Sequence, residues 1–388
     1  MTARIALPRF ARIGAGAIAD IGEVVTQLGA HKPLLVTDAY LTNSGAAERV
    51  LEFLRTAGTD PKLFDDTVPD PTTNSLHAGL RAISDHDADV IIGFGGGSPM
   101  DTAKALSVLA AKGGQMRDYK APNSYSGPAL PIIAIPTTAG SGSEATQFTV
   151  ISDSDTDEKM LCPGLSFLPI ATIVDFELTL SMPARLTADT GIDALTHAIE
   201  AYVSRKANPF SDGLAMAAIA TIGHHLRDAY HDGDNRTARE AMMVASTQAG
   251  MAFSNASVAL VHGMSRPIGA HFHVAHGLSN AMLFPVITEF SLVGAQTRYA
   301  ACAEALGITA STTAGRAQGL VDYLIELCRE LEVPTPKTYG IDQMTWTELT
   351  PLMAQQALAS GSPANNPIVP TATEIESLYA KVYDPVVK

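Results

Sequence analysis

Residues 261–277, VHGMSRPIGAHFHVAHG, hold four histidines and one arginine in seventeen positions. Imidazoles at that density suit metal ligation or proton relay, and a guanidinium among them can hold an anion. A second pair of potential ligands lies upstream. TGIDALTHAIEAY sets Asp193 and His197 four residues apart, which puts both on one face of a helix and within reach of one cation. Such a pair is also a common surface contact. As one continuous helix, 261–277 would separate His262 from His276 by about 21 Å, too far to share an ion. Pro267 and Gly269 predict a break near Gly269, which would fold the segment back and bring His262 and His276 toward Asp193 and His197. One carboxylate and three imidazoles make an O/N set for a divalent transition metal, Fe(II) or Zn(II), and no thiolate points to a zinc ribbon. The alternative places His262 at a helix end and His276 in a cap before Gly277. It explains each residue separately and leaves their combination to chance.

Two glycine-rich loops suggest a second ligand. IIGFGGGSPMDTAK puts Gly95, Gly96 and Gly97 between an apolar run and a helix, with Ser98 expected as N-cap, Pro99 as first helical residue and Asp101 in the first turn. Backbone amides at a positive helix end suit a pyrophosphate. The match to G-x-G-x-x-G is imperfect, since Ser98 stands where the third glycine belongs, and no acid follows at the usual ribose distance. Asp38, at the end of an earlier strand, is the carboxylate that can take that place. A plain helix cap in a tight turn is the other reading. IPTTAGSGSEAT (135–146) again follows a strand, and Thr137, Thr138 and Ser141 can donate to phosphate or carboxamide, or simply line a polar turn.

Elements that position these loops follow from periodicity. PLLVTD (33–38), DVIIGFGGG (89–97), ALPIIAIPTT (129–138) and ATIVD (171–175) read as buried strands, alternating with helices at 45–58 and 98–113. That alternation predicts an α/β domain with a mostly parallel sheet. TQFTVISDSDTDEKMLC reads as a hairpin with an exposed acidic tip, not as a metal site. Beyond LSMPARL, Ala, Leu and Met recur at helical spacing, which predicts a boundary near Pro183: an α/β domain over 1–182 and an all-helical domain over 183–388. With 388 residues, 46% of them apolar, two cores are expected. The net charge of −14 argues against a nucleic-acid partner. Three widely spaced cysteines, Cys162, Cys302 and Cys328, form no disulfide framework and fit a reducing cytoplasm. No leader, anchor or run long enough to span a bilayer is read, so a soluble protein without a membrane partner is expected.

With these residues in place, the chain resembles the iron-containing, metal-dependent alcohol dehydrogenase family. GGGSPMDTAK, PTTAGSGSE, GIDALTHAIEAY and HGM…AHG stand in the family's order and spacing across nearly the whole length. The resemblance implies a nucleotide-binding domain, a metal-binding domain and a cleft between them. It carries the metal ligands onto Asp193, His197, His262 and His276. Its nucleotide contacts fall on Asp38, Gly95, Gly96, Gly97, Ser98, Asp101, Thr137, Thr138, Ser141, Thr146 and Lys159. A carboxylate at Asp38 would bond ribose hydroxyls and repel a 2′-phosphate, favouring NAD over NADP; a solvated strand-end Asp and a solvated Lys are the plainer readings of Asp38 and Lys159. The reaction implied is reversible hydride transfer between a primary alcohol, or its aldehyde, and C4 of nicotinamide, with the metal as Lewis acid. Rival readings are a hydroxyacid–oxoacid transhydrogenase or related NAD and metal enzyme on the same scaffold, and a silent metal or nucleotide sensor. The full ligand set with both loops argues against the sensor. Pairing into a homo-oligomer is a family expectation.

One position departs from the family. Many relatives carry a further histidine four residues after the first histidine of the 261–277 stretch, and here Arg266 stands there. Arginine cannot shuttle a proton near neutral pH, which leaves His271 or His273 as relay candidates, unless these are packed or solvated rings. Arg266 either faces the substrate and grips an anionic group on it (carboxylate, sulfonate or phosphonate), or makes a structural salt bridge or helix-end contact.

Overall fold

The computed structural model describes residues 2–384. The chain divides into two compact units, Met1–Met182 and Pro183–Lys388. In the first, strands β1 (Phe10–Ile13), β2 (Pro33–Val36), β3 (Lys62–Phe64), β4 (Val90–Gly95), β5 (Ile132–Pro136), β6 (Phe148–Ser152), β7 (Lys159–Pro163) and β8 (Ala171–Val174) alternate with helices α1 (Ile21–Gln27), α2 (Ala39–Asn43), α3 (Ala46–Thr56), α4 (Leu76–His86) and α5 (Gly97–Lys112). Six strands form one sheet in the order β1-β8-β5-β4-β2-β3, every pairing parallel, and β6 and β7 form the antiparallel hairpin. Runs such as PLLV, VIIGFG and IIAIP are apolar throughout because both faces of the sheet are covered. Leu35, Ile92, Phe94, Ile133 and Ile173 pack with Val24 of α1 and Val50 and Leu54 of α3. Leu34, Val36 and Ile91 point the other way, to Ile83 of α4 and Leu106 of α5.

The expected strands and hairpin are present, with two short additions at the sheet edges, β1 and β3, whose four and three residues carry no periodic signal. The chain steps outward from β2 to β3, then returns to β4 and proceeds in the opposite direction to β5 and β8. The order thus reverses between β2 and β4. Open α/β sheets bind ligands beyond the strand ends at that point.

The second unit is helical: α6 (Ala184–Val203), α7 (Pro209–His231), α8 (Arg236–Ala256), α9 (Leu260–Phe272), α10 (His276–Ser291), α11 (Gln296–Ala305), α12 (Thr313–Glu330), α13 (Pro336–Tyr339), α14 (Gln343–Ala359) and α15 (Ala372–Tyr383). The helix break expected near Gly269 occurs elsewhere. α9 runs through Pro267 and Gly269, and ends where His273 turns left-handed at φ 53° with its N–H on the Gly269 carbonyl. Proline forfeits one ladder bond, and the full burial of Met264 and Ile268 on either side of it holds the helix together past that point. A second correction concerns His276–Gly294, which by length and mean hydropathy of 1.2 passes for a membrane span; 61% of it lies buried within the protein, as in a core helix.

Candidate metal centre and nucleotide loops

Residues 193, 197 and 200 fall on one face of α6 by helical geometry. His262 stands in the first turn of α9, and His276 opens α10. Gly277 lets α10 meet α6: a Cβ there would lie 2.5 Å from the Asp189 carbonyl oxygen, so any side chain would push His276 away from Asp193. One ligand atom from each of Asp193, His197, His262 and His276 lies within 4.8 Å of the other three. Asp193 Oδ1 is 3.5, 3.8 and 3.9 Å from Nε2 of His262, His276 and His197. Bonds of about 2.1 Å in a tetrahedron space ligand atoms about 3.4 Å apart, so a small contraction would seat a transition-metal ion. Asp193, His197 and His262 are buried, whereas the His276 side chain is 42% exposed, leaving one side of the cluster open. His197 is stacked between Phe253 and His262, at centroid distances of 4.2 and 4.4 Å.

The electrostatics favour a cation. Burial works against a charge on Asp193, yet the three rings outweigh it and hold the carboxyl well below the usual carboxylate range. Burial also opposes a proton on His262, and Glu200 together with Asp193 pushes that ring up to about 8.

Glu200 was not singled out from the sequence, although it lies seven residues beyond Asp193, two turns along the same helix face. It is 3% exposed. Its Oε2 accepts from His262 Nδ1 at 2.6 Å and from the Ala259 N–H at 2.9 Å, and its Oε1 accepts from the Val261 N–H at 2.6 Å. Placing the proton on Nδ1 leaves the Nε2 lone pair for a metal, the familiar carboxylate–histidine arrangement. Glu200→Gln puts an NH2 among three donors. We expect a loss of metal affinity of about 10–100-fold and of stability of about 1–3 kcal/mol, read by chelator competition and thermal unfolding.

Arg266 lies one turn beyond His262 on the same side of α9. Its Nη1 donates to Ser362 Oγ at 3.0 Å, and it makes no ion pair among the described residues, so the structural salt bridge considered for it is not found. Burial pushes its pKa down to about 10, with Glu200 opposing. His271 sits on the opposite side of α9 from His262, its Nε2 on Gln356 Oε1 at 2.8 Å, and His273 is exposed at the helix end. The cluster therefore gathers the four candidate ligands with Arg266 nearby on the same helix face, and leaves out both relay candidates.

In the first unit, three loops crowd the carboxyl edge of the sheet. Asp38 follows β2 as N-cap of α2, its Oδ1 accepting from the Leu41 N–H at 3.0 Å. Gly95, at φ 147°, makes the turn after β4, and a Cβ there would strike Pro99 at 2.6 Å. The cap of α5 is Gly96, in extended conformation, not Ser98. Ser98 Oγ instead accepts from the Asp70 N–H, and the Asp70 carboxylate pairs with Lys159 Nζ at 2.9 Å. Thr137 follows β5, its N–H on the Gly95 carbonyl; Thr138 abuts Gly96, and Ser141 abuts Gly97.

Asp101 and Thr146 turn inward. Asp101 lies in the second turn of α5, bonded to Ser143 Oγ and the Val150 N–H. Thr146 Oγ1 accepts from Lys104, a fully buried lysine that sequence reading passed over. Lys104 Nζ is surrounded by five oxygens, two from Ser143, two from Thr146 and the Phe148 carbonyl, and burial pulls its pKa down to about 8. It pins the 137–146 loop from beneath. Only its place in the run MDTAK hinted at this role.

Comparison with known proteins agrees over both units. Residues 8–176 match the family profile described as iron-containing alcohol dehydrogenase, and residues 187–383 match that of the Fe-containing alcohol dehydrogenase family, C-terminal. The chain is 37% identical over 375 residues to the NAD-dependent methanol dehydrogenase of Bacillus methanolicus, covering 96% of this chain and 97% of that protein. The crystal structure of a 1,3-propanediol oxidoreductase superposes with a TM-score of 0.94 at 34% identity, over 98% of this chain and 100% of the other. The sulfoacetaldehyde reductase of Bifidobacterium kashiwanohense, in complex with NAD+, superposes with a TM-score of 0.89 at 26% identity, over 99% and 100%. The chain belongs to the iron-containing alcohol dehydrogenase family, as an NAD-linked, metal-dependent oxidoreductase that interconverts alcohols and aldehydes.

Proposed function

We propose that Asp193, His197, His262 and His276 bind a single divalent ion, Fe(II) or Zn(II), and that the enzyme oxidises or forms primary alcohols bearing an anionic group. Convergence of the four ligand atoms within 4.8 Å is the observation that carries the metal assignment. When bound, the ion supplies Lewis acidity, lowering the alcohol's pKa so that no strong protein base is needed. Glu200 keeps His262 in the tautomer that presents Nε2, and the 42% exposed face at His276 is where substrate oxygen has access. The first unit takes NAD: Gly95, Gly96, Gly97 and Ser98 at the switch point for the pyrophosphate, Asp38 for the ribose, and Thr137, Thr138 and Ser141 beside them. Asp101, Thr146 and Lys159 support those loops from within, through Ser143, Lys104 and Asp70.

Arg266 sets the substrate class. A half-buried guanidinium with a neutral hydroxyl as its partner keeps its charge for a ligand, and its planar fork matches a carboxylate or sulfonate. A relative named as a sulfoacetaldehyde reductase supports this reading, because that aldehyde carries a sulfonate. Three free cysteines support a reducing, cytoplasmic setting, and the family relationship supports a homo-oligomer. The test is NADH production by enzyme loaded anaerobically with Fe(II) or Zn(II), on a panel of alkanols and ω-hydroxy carboxylates or sulfonates of matched length. We expect turnover that depends on the metal and favours the anionic substrates by about tenfold or more in kcat/KM, the scale of one charged hydrogen bond. Turnover that ignores the metal would sink the ligand assignment, and equal turnover of neutral and anionic alcohols would sink the substrate class.

A further inference from the structure

Asn280 lies fully buried on α10, one turn after His276. Its Nδ2 is 2.6 Å from Asp193 Oδ1, 3.1 Å from His262 Nε2 and 3.3 Å from His276 Nε2. An atom this close to a carboxylate oxygen must be a donor, which fixes the orientation of the amide. The other end is unsatisfied: Oδ1 is buried with no hydrogen-bond partner among the described residues. Packing alone does not explain an amide here, because leucine would fill a similar volume without an orphaned oxygen. The amide nitrogen touches three of the four atoms assigned to the metal.

We propose that Asn280 is a positioning residue of the metal centre, holding Asp193 Oδ1 toward the ring nitrogens and so setting how tightly the site retains its ion. This rests on the reading that the four residues are the ligands. The other buried ligands are anchored independently: His262 by Glu200 and His197 by stacking between Phe253 and His262. Asp193 takes its neutral hydrogen bond from Asn280. A carboxylate oxygen has lone pairs enough to keep that N–H while it binds a cation, so the contact is compatible with a filled site.

The test compares wild type, Asn280→Leu and Asn280→Asp, each loaded with Co(II) or Zn(II), by competition against a chelator and by the visible absorption of bound Co(II). Asn280→Leu is expected to release metal about 10–100-fold more readily. Asn280→Asp, of nearly the same shape, replaces the donor to Asp193 Oδ1 with a second carboxylate that cannot hold it in place, and is expected to change the Co(II) spectrum. Retention by Asn280→Leu equal to wild type, or a Co(II) spectrum unchanged in Asn280→Asp, overturns the proposal. Should Asn280→Leu fail to fold, as judged by circular dichroism, the aspartate variant decides. A wild-type protein that binds no ion at all would instead remove the ligand assignment itself, which keeps the two failures apart.

Discussion

Asp193→Asn is expected to strip the enzyme of its metal and lower kcat/KM by about 10³-fold or more, while leaving the helical signature of the second unit intact. Asp193 supplies the only negative charge among the four proposed ligands. Its replacement leaves three neutral rings and an amide, a much poorer site for a hard or borderline cation. Lewis-acid stabilisation of an alkoxide is worth several kcal/mol, and about 1.4 kcal/mol is tenfold in rate, which sets the size of the loss. Asparagine matches the shape of aspartate, so the packing of α6 against α7 and α8 is kept. Metal analysis after gel filtration, with steady-state kinetics on the same sample, checks both halves; retention of metal and activity by the variant would refute the site. A pH effect accompanies it. The His262 ring is pushed up to about 8, so protons compete with the ion for Nε2, and retention in the wild type weakens as pH falls below that value.

The second large effect concerns selectivity. In Arg266→His, kcat/KM for an ω-hydroxy carboxylate or sulfonate is expected to fall about 10–100-fold, mostly through KM, while that for a plain alkanol of the same length is unchanged or improved. A hydrogen bond to a charged group contributes roughly 1.5–3 kcal/mol, and a bidentate fork stands at the upper end of that range. Arg266→Lys keeps the charge without the planar fork and should fall between the two. Ser362 steadies Nη1 of Arg266, so Ser362→Ala should shift the same ratio in the same direction by less. If Arg266→His left the ratio of anionic to neutral substrate where it was, the arginine would have no part in recognition.

Much of this centre was legible before folding. Asp193 and His197 are one helical turn apart, so their shared face follows from local geometry, and the strand runs are apolar because both faces of the sheet are covered. Other features were misjudged for local reasons. Ser98 is a good capping residue by type, but the left-handed turn at Gly95 starts α5 at Gly97 and leaves the cap to Gly96. Pro267 is a helix breaker by type, yet a buried helix absorbs the loss of one bond, and the turn falls at His273. Thr146 and Asp101, nucleotide contacts implied by the family resemblance alone, are bonded to Lys104 and Ser143, partners that no local pattern announces.

By itself, then, the sequence determined the α/β unit, the helical unit after it, the glycine loops at strand ends, and four side chains, Asp193, His197, His262 and His276, whose types suit a transition metal and which the fold brings together. Tertiary structure alone decided which groups tune those ligands. Glu200 meets His262 across 62 positions and Asn280 meets Asp193 across 87. Local periodicity reports which way a side chain faces along its own helix, and carries no information about the distant residue that arrives opposite it. The same holds for Arg266, whose spacing from His262 is written in the chain, while its lack of a carboxylate partner among the described residues is a property of the folded protein.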